Sequence, residues 1–86
     1  MRKPALSIST SEFEAFHTGP PLTPRLRGQW TFRLGTAAMS GDPAFDTETF
    51  VTSATHTTFA GACALARKTA KWRRAYRISL HSLKGD

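Results

Sequence analysis

From Gln29 the chain alternates between apolar and polar positions. Trp30, Phe32 and Leu34 share one side of an extended backbone, and Thr31 and Arg33 share the other, which predicts a half-buried strand. Residues 45–55 are rich in Thr, Val and Phe and read as a second strand, antiparallel to the first. Ser40-Gly41-Asp42-Pro43 marks the loop between them. The register of the second strand stays open, because Thr and Ser stand on both of its faces. The period then changes. Thr57 or Thr58 caps a helix over residues 58–75, the best-defined element of the chain. At about 100° per residue, Phe59, Ala62, Cys63, Leu65, Ala66, Thr69, Ala70, Trp72 and Tyr76 fall within one half-circle. Tyr76, Ile78 and Leu80 next alternate with Arg77, Ser79 and His81 as a third strand.

The first 28 residues follow other rules. Residues 1–10 read as a flexible tail, or at most a short extended segment at residues 5–8. Ser9-x-x-Glu12 and Ser11-x-x-Glu14 both fit a capping box, so a short helix is expected over residues 11–17, with Phe13 and Phe16 on one face. Gly19-Pro20-Pro21 ends it, and Pro24 keeps residues 19–28 extended. The PxxP within this connector matches a recognition segment, but a stiff linker explains it better. The expected fold is α+β: a short N-terminal helix, then β-β-α-β, as an antiparallel sheet with one long amphipathic helix packed on one face. The tail (1–10), the short helix and connector (11–28) and a β-β-α-β domain (29–86) make up its organisation.

Length sets limits on this picture. Eighty-six residues and 9.5 kDa give one thin core and no room for a cofactor domain beside a substrate domain. One cysteine, Cys63, allows no internal disulfide, which suits a reducing compartment. Residues 1–10 are too short and polar for a secretory signal, and no run approaches the ~20 apolar residues of a membrane span. A cytoplasmic protein that does not enter membranes is therefore expected.

Charge changes the picture most. The net charge is +6, yet five cations balance five carboxylates over residues 1–50. Seven cations over residues 51–86 face Asp86 alone, and six of the seven lie between 67 and 77. Arg67, Lys68, Lys71 and Arg74 recur at three- and four-residue intervals as one helical stripe, and Arg77 extends it. No carboxylate is interleaved to form i,i+4 pairs, so the like charges repel unless an anion covers them.

Other chemistries find little support. His17, His56, His81 and Cys63 lack metal-ligand spacing, so no metal or other cofactor is expected. Cys63 lies on the predicted buried face, where it acts as a small hydrophobe. The carboxylates sit in caps, a loop or a strand end, and there is no GxxxxGK[ST], GxGxxG or GxSxG. No enzyme and no small-molecule substrate is expected. The aromatic residues are read first as core: Trp30 and Phe32 by their alternation, Trp72 and Tyr76 as the edge of the helix's apolar side. Where left exposed, Trp72 or Trp30 would stack on a base or anchor a partner.

Two functions fit these residues. The first is a non-enzymatic nucleic-acid-binding module that contacts phosphates of DNA or RNA through Arg67, Lys68, Lys71, Arg74 and Arg77. The second is a protein–protein module that docks the same face on an acidic protein surface. In being short, strongly charged and free of enzyme motifs, the stretch from Trp30 to Leu80 resembles small phage and mobile-element proteins. That resemblance implies an inhibitor of the anti-defence type, docking on a host nucleic-acid-processing complex.

Overall fold

The computed structural model describes residues 8–9 and 21–85. Its elements are strands β1 (Ile8–Ser9), β2 (Arg27–Thr36), β3 (Thr47–Thr52) and β4 (Thr57–Thr58), helix α1 (Phe59–Trp72) and strand β5 (Arg77–Gly85), with a 3-10 turn at Pro43–Phe45. β2 lies at the centre of the sheet. β5 flanks it on one side, while β3 and then β4 pair along the other, all antiparallel to it. β1 adds to the outer edge of β5 in parallel, with Ile8 opposite Ile78 and Ser9 opposite Ser79. The result is a small α+β domain built on a mixed sheet, rather than the wholly antiparallel one expected.

Alternation along β2 decides which face is covered. Trp30, Phe32 and Leu34 are buried, opposite Leu83, Leu80 and Ile78 of β5. Against them lies the alanine stripe of α1, Ala62, Ala66 and Ala70, with Cys63 beside it. Small side chains let the helix sit close to the large ones of the sheet, so a thin core still excludes water. Each fully buried large side chain contributes about 1.5–3 kcal/mol relative to exposure. Trp30 also has its polar atom satisfied: the indole Nε1 donates to the Thr57 carbonyl at 2.8 Å, and the ring packs 4.8 Å from that of Phe59.

The second predicted strand is shorter than expected, running only over Thr47–Thr52. Ser53 ends it: its backbone N–H donates to the Trp30 carbonyl at 2.8 Å, while its buried Oγ accepts from the Trp30 N–H at 2.9 Å. A side chain thus replaces one rung of the ladder, and the chain turns through His56, at φ 59°, into β4. Phe45, expected in this strand, lies in the 3-10 turn instead. β5 runs on to Gly85, four residues past the expected end, and is bulged at His81, where pairing passes from Phe32–Leu80 to Thr31–Ser82.

From residue 21 on, the connector is part of the fold. Leu22 and Leu26 pack on the core, and the carbonyls of Leu26 and Pro24 accept from the N–H groups of Phe59 and Ala60. Two of the free amides at the start of α1 are satisfied in this way. The short helix expected over residues 11–17 lies outside the described residues, as does the expected tail apart from Ile8 and Ser9.

Candidate nucleic-acid interface

Helix α1 presents the cations, so its ends fix where they stand. Thr58 is the N-cap, with φ −69° and ψ 154°, and its hydroxyl accepts from the Gly61 N–H at 3.1 Å. The other end closes earlier than the periodicity predicts, at Trp72 rather than residue 75. Ala75 N–H donates to the Ala70 carbonyl at 2.8 Å and Arg74 N–H to the Lys71 carbonyl at 3.3 Å, with Arg74 at φ 56°. This is a Schellman closure in which an arginine occupies the left-handed position that favours glycine. Arg74 is therefore not a member of the helical stripe. It stands in the turn beyond, still exposed.

Arg67, Lys68 and Lys71 lie on the solvent side of α1, away from the alanine stripe, and all are exposed. Arg73, at the C-cap, is exposed as well. Among the described residues, no carboxylate pairs with Lys68, Lys71, Arg73 or Arg74. Arg77 belongs elsewhere. It lies on β5 at 3.5 Å from Glu48 of β3, so it balances a carboxylate on the sheet instead of extending the helical stripe.

The two tryptophans separate completely. Trp30 is 0% exposed and has no free face for a base or a partner, which removes it as a stacking residue. Trp72, expected to pack against the sheet, is 87% exposed. It lies about 120° around the helix from Ala66, beyond the arc that the sheet covers. Leu65, one heptad earlier and 39% exposed, shares its side of the helix. Leu65, Lys68, Thr69, Trp72 and Arg73 border an open depression of about 290 Å³. Tyr76, also expected on the core side, is 51% exposed and donates its hydroxyl to Asp46 Oδ2 at 3.1 Å.

The described carboxylates lie away from this face, in the β2–β3 loop and on β3. Asp46 accepts from the Ala38 N–H and from Tyr76, Asp42 accepts from the Ala44 N–H, and Glu48 meets Arg77. Two residues to which the sequence pattern gives no role mark the uncovered side of the sheet. Phe50 and His81 meet edge to face, with ring centroids 4.9 Å apart, next to Arg33. Nothing in the Thr-rich pattern around Phe50 assigns it a face. Its pairing with Arg33 does.

Burial raises the Cys63 thiol above its usual 9.0, with Arg67 pulling the other way, so the thiol stays protonated and inert near neutral pH. Among the described residues, no three of His, Cys, Asp and Glu are grouped to hold a metal ion, and no helix is long and apolar enough to cross a membrane. No protein-family model, curated protein or solved structure matches the chain. The class that the fold defines is a small α+β domain in which a mixed sheet carries helix α1 on one face.

Proposed function

We propose that this protein binds nucleic acid through phosphate contacts from the solvent face of α1. One observation carries the reading: among the described residues, the charge is sorted in space. Every described carboxylate lies in the β2–β3 loop or on β3, each with a donor or cation of its own, while α1 and its closing turn carry Arg67, Lys68, Lys71, Arg73 and Arg74, the last four of which pair with no described carboxylate. Like charges at such spacing cost a few tenths of a kcal/mol per pair, and a polyanion turns that cost into binding through counterion release. The contacts go to the backbone, so sequence preference is weak.

The test is fluorescence anisotropy of labelled DNA and RNA, single- and double-stranded, at two salt concentrations. The reading predicts dissociation constants on the order of micromolar at low salt that weaken steeply at higher salt. Absence of binding at low salt rejects it.

A second reading, docking of the same face on an acidic protein surface, is supported by Trp72, which stands 87% exposed beside Lys68 and Arg73 and would anchor a partner. Its mark is a stable 1:1 complex with an acidic protein and no measurable affinity for nucleic acid.

A further inference from the structure

We infer that the ligand is single-stranded and that one unpaired base stacks on the indole of Trp72. The inference rests on the proposed nucleic-acid reading and adds to it the state of the bases. Phosphate binding by lysine and arginine needs no aromatic side chain, and a helix held to the sheet by alanines gains nothing from an exposed indole. Trp72 nevertheless stands 87% exposed in the last turn of α1.

What surrounds Trp72 suits a nucleotide. Thr69 donates its hydroxyl to the Leu65 carbonyl at 2.9 Å, so that group is spent on the helix backbone. The depression beside the indole is thus bounded by the Leu65 side chain on one side and by the cationic side chains of Lys68 and Arg73 on others. An apolar platform edged by cations fits a base whose flat face covers the ring while the adjoining phosphates meet the charges. In a duplex both faces of each base are already covered by its neighbours. Charge alone would admit an acidic peptide; the exposed ring beside the cations favours a nucleic acid, in which each phosphate comes with a flat base.

The chain has two tryptophans, and the other, Trp30, is 0% exposed, so a ligand-induced change in intrinsic fluorescence reports on Trp72. The experiment titrates the full chain with oligothymidylate, oligouridylate and a duplex of equal length, following tryptophan emission and anisotropy together. The inference predicts quenching by both single strands and little by the duplex. It also predicts that Trp72→Leu weakens single-strand binding by about tenfold or more, that Trp72→Phe recovers part of this, and that the salt dependence does not change. Because Trp72 is exposed, both variants keep the wild-type circular dichroism. Equal affinity for duplex and single strand, with no quenching and no effect of Trp72→Leu, overturns the stacking inference and leaves the phosphate reading intact. Absence of all nucleic-acid binding overturns both.

Discussion

Arg77 and Glu48 meet across Gly35, their Nη2 and Oε1 atoms 3.5 Å apart. Gly35 of β2 is the Cα partner of both, Arg77 on one neighbouring strand and Glu48 on the other. With no side chain at the middle position, two charges on strands that never touch reach each other. Both are about half exposed, so the pair contributes little to stability; its effect is to take Arg77 out of the positive surface.

This arrangement sets a contrast between two glycines of β2. A β-carbon on Gly35 meets Arg77 and Tyr76 atoms at 3.6 Å, an ordinary contact, so Gly35→Ala is expected to be neutral or to stabilise by up to about 1 kcal/mol. A β-carbon on Gly28 runs into Leu83 Cδ1 and comes within 2.8 Å of the Lys84 carbonyl oxygen, so Gly28→Ala is expected to cost on the order of 1–3 kcal/mol. Urea denaturation of both variants checks the order; a Gly35→Ala more damaging than Gly28→Ala contradicts the register.

Tyr76 is the chain's one tyrosine, so its ionisation is visible by itself in tyrosinate absorbance. The hydrogen bond to Asp46 and then the charge of that carboxylate raise the phenol above its usual 10.0. A raised folded value means that the contribution is fully present below the unfolded pKa and is lost as pH rises through the folded one. The titration midpoint is expected above 10.0 in the wild type and nearer to it in Asp46→Asn. Identical midpoints in the two proteins dispose of the contact.

Arg74 combines two roles that pull apart. Its φ of 56° is unfavourable for a residue with a β-carbon, so Arg74→Gly is expected to raise stability by about 0.5–1 kcal/mol. The same change removes one cation and is expected to weaken nucleic-acid binding. Thermal melting and anisotropy on one variant therefore move in opposite directions. A destabilised Arg74→Gly contradicts the closing turn described for α1.

Ser53 holds the break between β3 and β4. Removing its Oγ leaves the buried N–H of Trp30 without an acceptor, so Ser53→Ala is expected to cost about 1–3 kcal/mol. Hydrogen exchange at the Trp30 amide checks the cause, since it should quicken more than that of Phe32.

The sequence pattern reveals the core better than the surface. Trp30, Phe32 and Leu34 alternate strictly, and Phe59, Ala62, Ala66 and Ala70 keep the helical period, so both buried faces can be read directly. Trp72 misleads because hydrophobic character assigns it to the core, whereas the sheet covers only the arc around Ala66. The pairing of Ile8 with Ile78 is two residues long and joins positions 70 apart, too little for a local pattern to signal. The left-handed Arg74 is hidden for a plainer reason: the position that ends α1 holds none of the glycine or asparagine that marks such a turn. The cations at Arg67, Lys68, Lys71 and Arg74 are legible as a group, but only the described turn separates the last from the first three. Arg77 leaves the group altogether once Glu48 is seen beside it.

The central claim concerns the solvent face of α1, and the salt dependence of binding tests it most directly. Lys68 and Lys71 are exposed and take no part in the core, so Lys68→Gln with Lys71→Gln leaves the fold intact. The measurement is the slope of log affinity against log salt for one labelled single strand, with wild type and double variant side by side. The account predicts weaker binding and a slope shallower by roughly 1.4, about 0.7 for each lysine that no longer neutralises a phosphate. An unchanged slope and affinity would mean that the nucleic acid lies elsewhere on the protein, and the role assigned to α1 would be wrong.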